Sequence, residues 1–369
     1  MKITELETMV VKIPFTHGGP PTGFGGGAWS TIDTLFVRVD TDEGLSGYGE
    51  GFGFGMLPAT KAAVDSALRG LVLGQDASQI RALTASAERT LHIFGRSGPA
   101  AYAVSGLDIA LWDLAGKCAG LPIHQLLGGA GRQELPAYAS LFRLSSPEIV
   151  ASETAAAVQA GYTEVKLHEI AVANVLAARE VLGEGPPLMV DVNCEWDPAE
   201  AVATARALRP AQLTWLEEPV WPPESYDALA RVAADSGVPV AAGENATTLH
   251  DFQALATTAR CAYVQPSVTK MGGITGFCRV AELAAAAGVR VAPHSPYFGP
   301  GLLATLHLAS VFPGVRSVEY LFAQLERPMF GAVGVPDAAG MLAIPGGPGL
   351  GADPDPDPDP DVMDDYRVA

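Results

Sequence analysis

The chain has 369 residues, 48% hydrophobic and 17% charged, which is the composition of a globular protein with a large core and excludes a disordered one. Lys and Arg number 23 against 41 Asp and Glu, a formal net charge of −18, so phosphate backbones and anionic lipid would repel the chain and neither nucleic acid nor a membrane is an expected partner. Cys118, Cys194, Cys261 and Cys278 form no CxxC pair, which favours reduced thiols and a cytoplasmic setting over a disulfide scaffold or a zinc site.

In chain order, residues 1–14 alternate as a strand does and do not have the form of a signal peptide. The segment 34–40 (TLFVRVD) reads as a strand, 42–44 (DEG) as a turn, and a short strand follows to Glu50. A helical section spans about 58–127. Its clearest part carries Val104, Leu107, Leu111, Leu114 and Cys118 at steps of three and four, one apolar face, and Pro122 with Gly128-Gly129 punctuates its end. These 125 or so residues predict an antiparallel sheet followed by helices, an α+β unit.

Beyond residue 130 short apolar runs alternate with Ala-rich helical stretches. The runs are 136–141, 163–168, 187–193, 213–218, 239–244, 262–267, 290–294 and 316–320, eight in all, and they predict parallel strands joined by crossover helices. No apolar run approaches the ~20 residues of a membrane span. His168, Asn193, Glu217, Glu244, Ser267, His294 and Glu319 punctuate the run ends at intervals of 23 to 27 residues, about one strand, one helix and two loops. Polar and ionisable groups repeated at strand C-termini fit a closed α/β barrel, in which those ends converge on one mouth. The last residues, with Asp353, Asp355, Asp357, Asp359 and Asp361 alternating with Pro, predict an extended, solvated tail.

Asp191, Glu217 and Glu244 end successive strands. Oxygen ligands from separate strands, without Cys or His among them, suit a hard cation such as Mg²⁺, and three unneutralised carboxylates in one mouth would repel one another. Asn193, two residues after Asp191, is expected on the same face as an extra ligand or an orienting neighbour. Lys166 and His168 share the inner face of the preceding strand, and either is a candidate base. His294, across the mouth, is a candidate on the opposite side of a substrate, and Glu319 would hydrogen-bond a substrate carboxylate if protonated. Together these groups describe one reaction class: a metal binds a substrate carboxylate, a base removes the adjacent C–H proton, and the metal stabilises the resulting enediolate.

This constellation resembles the enolase superfamily, and within it the mandelate racemase-like subgroup (the mandelate racemase/muconate lactonizing enzyme family). The motifs that carry the resemblance are 41–50 (TDEGLSGYGE), 105–129 (SGLDIALWDLAGKCAGLPIHQLLGG), 165–168 (VKLH), 190–193 (VDVN), 215–219 (WLEEP), 243–245 (GEN), 269–276 (TKMGGITG) and 291–294 (VAPH). It implies an α/β fold, a modified TIM barrel (β/α)₇β over 128–322 with an α+β N-terminal capping domain over 1–127, and a segment 323–369 returning to the cap. It implies Mg²⁺ on Asp191, Glu217 and Glu244. The family's usual K-x-K is K-x-H here, and Ser267 stands where racemase-like members carry an Asp beside the strand-seven His. A His without a carboxylate partner is less strongly held protonated, which suits a better leaving group than hydroxide. Asn193, Asn245, Ser267, His17, Phe24, Trp29 and Tyr297 complete the candidate set, as substrate-binding or orienting side chains. The glycine-rich segment 17–29 (HGGPPTGFGGGAW) has no Lys or Arg, which argues against a second carboxylate at the far end of the substrate.

The first expectation is a Mg²⁺-dependent lyase that dehydrates a monocarboxylic sugar acid to a 2-keto-3-deoxy acid, in a homo-oligomer. A racemase, epimerase or lactone cycloisomerase would use the same intermediate. A Schiff-base aldolase acting through Lys166 and a non-catalytic sugar-acid-binding protein are the alternatives of other kinds.

Overall fold

A computed structural model describes residues 1–21, 28–129, 131–354 and 367–368. Three antiparallel strands open the chain: β1 (Ile3–Thr16), β2 (Thr31–Thr41) and β3 (Ser46–Gly51). Alternation places Leu6, Val37 and Val39 on the face covered by helices Ile80–Leu91 and Pro99–Ala119. The Pro99–Ala119 helix starts with Pro at its first position and ends at Gly120 in the left-handed region, whose N–H reaches back to Gly116 and Lys117 carbonyls. Val104, Leu107, Leu111 and Leu114 are buried as the spacing predicts. Cys118 is not: it is exposed, in the last helical turn before Gly120 closes it.

The eight apolar runs all become parallel strands: β4 (Glu134–Ser140), β5 (Val165–Leu167), β6 (Leu188–Asp191), β7 (Trp215–Glu217), β8 (Val240–Ala242), β9 (Tyr263–Val264), β10 (Arg290–Val291) and β11 (Val318–Leu321). They pair in the order β10-β9-β8-β7-β6-β5-β4-β11. The two end strands are linked through Ser295, whose Oγ donates to the Glu319 carbonyl at 3.1 Å and whose N–H donates to Glu319 Oε2 at 3.0 Å. Tyr138, Met189, Trp215, Ala241 and Ala292 fill the barrel interior beneath the mouth. Helix-length crossovers cover the outside, several of them with side-chain caps: Ser146 before Pro147–Gln159, Asp197 before Pro198–Ala207, and a Thr248–Asp251 capping box on Leu249–Thr257.

Except for β4, the observed strands are shorter than the apolar runs. Their last residues leave the ladder and turn into the mouth, with Asn193, Cys194 and Glu218 at φ 48°, 59° and 41°. The chain then adds β12 (Gln324–Leu325), antiparallel to β1, β13 (Met341–Ala343), antiparallel to β4, and β14 (Arg367–Val368), again on β1. The Asp-Pro residues 355–361 and Phe24 lie outside the described residues; Asp353 is described and pairs with Lys117. Among the described residues no helix is long and apolar enough to cross a membrane.

Candidate active site

The strand C-termini surround a cavity of about 440 Å³. The barrel lines it with His168, Asp191, Asn193, Glu244, His294 and Glu319, and the capping unit lowers Trp29, Phe52 and Phe54 over it. The three predicted carboxylates meet: Asp191, Glu217 and Glu244 each offer an oxygen within 4.8 Å of the others. Asp191 Oδ2 is buried without a hydrogen-bond partner. Burial and the Asp191 charge push the Glu217 carboxyl well above the usual range. Burial would raise Asp191 as well, but the Lys166 ammonium and His168 outweigh it and hold it low. His294 and Lys270 likewise overcome burial at Glu244 and bring it to about 2. Three acids this close cannot all carry charge in comfort, and a divalent cation is the group that would relieve them.

Lys166 is 1% exposed and spans three acids, 2.7 Å from Glu319 Oε1, 3.2 Å from Glu217 Oε1 and 3.5 Å from Asp191 Oδ2. Burial lowers its basicity, but Glu217, Glu319 and Asp191 reverse that and hold the amine well above its ordinary pKa. Lys166, a candidate base from the sequence, is in this arrangement an ammonium gripped by three carboxylates, which supports fixed charge over a Schiff base, since such an amine has no lone pair for a carbonyl. Glu319 also differs from expectation. It accepts from Ser140 Oγ at 2.8 Å and from Ser295 N–H, and despite burial Lys166 holds its carboxyl low, which favours the carboxylate over the protonated donor.

His168 places Nδ1 2.6 Å from the Leu141 carbonyl, which requires a proton on Nδ1, so the neutral ring would hold its lone pair on Nε2, 3.4 Å from Asp191 Oδ2. Across the mouth His294 sets Nε2 3.0 Å from Glu244 Oε2. Its Nδ1 lies 3.2 Å from Ser267 Oγ and 3.4 Å from the Tyr297 hydroxyl, and those two hydroxyls bond each other. Ser267 and Tyr297 thus stand at Nδ1 in place of a carboxylate, but the expectation of a His without a carboxylate partner is corrected at the other nitrogen, where Glu244 meets Nε2.

Asn193 lines the cavity, but not by strand periodicity: β6 ends at Asp191, and the left-handed Asn193 gives its backbone N–H to Asp191 Oδ1 at 2.9 Å. Asn245 Nδ2 donates to Glu218 Oε2 at 2.6 Å and, at 3.4 Å, to Glu244 Oε1 of the triad. His17 stacks on Phe142 at 4.4 Å behind the cavity wall and is not part of its lining. The glycine-rich segment carries no cation, yet the cavity has two from the barrel, Arg143 after β4 and Lys270 after β9. Neither was singled out in the sequence, nor was Glu218, buried and pushed to about 8 by desolvation and Glu244. The second acid of LEEP and the lysine of TKMGG were the available signals.

Barrel, cap and acid triad together define an enolase-type enzyme of the proton-abstracting kind. Residues 6–128 match the mandelate racemase/muconate lactonizing enzyme N-terminal domain and residues 149–358 the enolase C-terminal domain-like family, so the chain belongs to the mandelate racemase/muconate lactonizing enzyme family of the enolase superfamily. It is 34% identical over 329 residues to the 3,6-anhydro-α-L-galactonate cycloisomerase of Streptomyces coelicolor, covering 85% of this chain and 89% of that one. It is 32% identical over 289 residues to the D-galactonate dehydratase of Pectobacterium atrosepticum, 74% of each. A mandelate racemase/muconate lactonizing protein from Paracoccus denitrificans PD1222, solved with magnesium, superposes with a TM-score of 0.87 at 30% identity, covering 100% of this chain and 98% of that one.

Proposed function

We propose that this chain is a Mg²⁺-dependent lyase acting on a small sugar acid: it removes the proton α to the carboxylate and releases an oxygen from the β-carbon. The observation that carries this reading is the convergence of Asp191, Glu217 and Glu244 below a cavity with one imidazole on either side. An all-oxygen donor set in which the buried Asp191 Oδ2 accepts no hydrogen bond and one acid is driven toward protonation fits a hard divalent ion. Bound there, Mg²⁺ would supply positive charge to the carboxylate end of the substrate as its α-carbon becomes electron-rich. His168 is the base, because Leu141 fixes its tautomer with the Nε2 lone pair at the cavity. Lys166 remains an ammonium and contributes fixed charge beside the triad. His294 delivers a proton to the departing oxygen.

Loss of a hydroxyl gives dehydration to a 2-keto-3-deoxy acid, the first reading, and has its counterpart in the galactonate dehydratase relative. A second reading, ring-opening cycloisomerisation with an ether or lactone oxygen leaving, has its counterpart in the 3,6-anhydro-α-L-galactonate cycloisomerase relative, and is supported at Nδ1 of His294, where Ser267 and Tyr297 offer hydroxyls instead of a carboxylate once Glu244 is engaged by the metal. The same proposal places the enzyme in the cytoplasm, on its four free cysteines, and as a homo-oligomer, with 1–127 as cap, 128–322 as barrel and 323–369 as the returning segment.

The test is proton NMR in D₂O with Mg²⁺ on D-galactonate, D-arabinonate, galactarolactone and 3,6-anhydro-L-galactonate. Consumption or α-hydrogen exchange of an open-chain acid supports dehydration, and of a cyclic one the second reading. Binding of these acids without exchange would mark a non-catalytic binding protein and end the proposal.

A further inference from the structure

We infer that the face built by segments 92–97, 221–226 and 247–250 is where a second copy of this chain docks; the inference rests on the homo-oligomer reading and names the surface that would make the contact. Three of the four most exposed large apolar side chains among the described residues stand in these segments: Ile93 at 71%, Phe94 at 69% and Trp221 at 66%. Exposed apolar side chains are ordinary one at a time, but these border one depression. A groove of about 410 Å³ runs between the segments, with Arg96 and Ser97 on its cap side and Pro223, Glu224 and Tyr226 on its barrel side. A cavity of about 170 Å³ adjoins it, shares Arg96, Thr247 and His250 with it, and adds Glu88, Leu249 and Arg279. Thr247 Oγ1 donates to the Arg96 carbonyl at 2.9 Å, and the Trp221 N–H donates to the Trp196 carbonyl at 2.9 Å, so cap and barrel present the face already ordered.

Charge identifies the occupant. The chain carries a net charge of −18, so two copies repel over most of their surface. Here, beside the imidazole of His250, the exposed charged groups are Arg96 and Arg279 against Glu88 and Glu224, two of each sign. Among the described residues none of the four forms an ion pair within the chain, which leaves each to meet its opposite across a contact. A basic partner would favour the acidic remainder of the surface, and an acidic one would gain nothing from a balanced patch. A two-fold contact also requires projection and recess on one patch. The 3₁₀ turn His92–Phe94 is the projection, and the groove beside it is the recess. At its inner end the groove reaches Glu218 and Asn245, and Asn245 Nδ2 lies 3.4 Å from Glu244 Oε1, so a copy seated here covers the rear of the acid triad.

The experiment is sedimentation velocity of the full-length chain over a concentration series, for wild type, the double variant Ile93→Glu with Phe94→Glu, Trp221→Glu, and Val158→Glu as the control. Val158 is a half-exposed apolar side chain on the helix Pro147–Gln159, between β4 and β5 and apart from this face. Wild type should sediment as a dimer or larger. Each charged substitution on the face should weaken association by about 30-fold or more, and a two-fold contact carries it twice, while Val158→Glu leaves association unchanged. Hydroxyl-radical oxidation of wild type needs no substitution: Phe94 and Trp221 should become protected as concentration rises. A wild type that stays monomeric at every concentration ends the homo-oligomer reading and this one with it. An assembled wild type overturns only the face if its variants still associate, if Val158→Glu dissociates as readily, or if Trp221 oxidises equally at all concentrations.

Discussion

Glu217 is wholly buried, with the Trp215 indole N–H on Oε2 at 3.0 Å and the Lys166 ammonium on Oε1 at 3.2 Å. Glu217→Gln should abolish turnover and weaken Mg²⁺ binding by more than the ~10–100-fold typical of a ligand's outer neighbours, read by calorimetry and NMR; full activity in that variant would remove the metal assignment. On the two sides of the cavity the predictions separate. His168→Ala should stop α-hydrogen exchange in D₂O, whereas Tyr297→Phe, which strips one hydroxyl from His294, should leave exchange in place and slow product formation by about 10-fold, the worth of one hydrogen bond. Equal loss of both rates in Tyr297→Phe would place that residue on the base side instead. The ligand positions and the K-x-H pair were legible because a residue type recurring at strand ends needs no third dimension to be noticed. Asn193 was placed on the right face for the wrong reason, since nothing in VDVN announces that the strand stops at Asp191. Lys270 and Arg143 went unread because a single cation in a loop is ordinary until a cavity forms beside it.

The Pro99–Ala119 helix illustrates what holds the elements. Leu107, Leu111 and Leu114 enter the core under the antiparallel sheet, while Ile109 enters the barrel's own core, so one helix is buried on two sides. Its contact with the Gly273–Ala287 helix is polar as well: Asp108 Oδ1 accepts the Thr275 N–H at 2.9 Å and the Trp112 indole donates to Thr275 Oγ1 at 3.0 Å. Gly273 permits this approach. A β-carbon there would sit 2.4 Å from Asp108 Oδ1, and its φ of 67° already disfavours any other residue. Leu107→Ala should therefore cost about 2–5 kcal/mol in thermal or denaturant unfolding, and Cys118→Ser, on the exposed turn of the same helix, less than about 0.5 kcal/mol. Comparable losses from both would mean that the helix faces are assigned wrongly. Four of the five positions on the predicted face are buried; the fifth, Cys118, failed because a helical repeat does not say where the last turn passes into solvent.

The whole molecule depends on how cap and barrel fit, and two buried acids lie at that joint. Glu50 accepts the Gly301 N–H at 2.8 Å, and Asp108 meets Thr275. Burial pushes both up to about 7, against hydrogen bonds that pull them down. A carboxyl whose folded pKa is raised binds its proton more tightly when folded, so its contribution is complete below the unfolded pKa of about 4 and is lost as pH rises toward 7. The melting temperature should accordingly fall between about pH 4 and 7 by this contribution, at most about 1.4 kcal/mol per pH unit for each group. Asp108→Asn should flatten the slope, and an unchanged slope would show that Asp108 does not titrate there. Mg²⁺ acts on the same equilibrium by mass action: at a hundred times its dissociation constant it should stabilise the fold by about 2.7 kcal/mol, and EDTA should reverse the shift in a melting curve.

Strand and helix order, the eightfold repeat and the polar residue at successive strand ends were determined by the sequence alone, because period, punctuation and spacing are local properties that burial then obeys. Tertiary structure decided the rest. Whether Lys166 is a base or a trapped ammonium depends on three carboxylates from other strands, and whether Glu319 is protonated depends on that lysine. Which side of His168 faces the cavity depends on a carbonyl 27 residues away. Charge state and tautomer follow from distances between groups far apart in the chain, and those distances exist only once the barrel has curled and the cap has settled on its mouth.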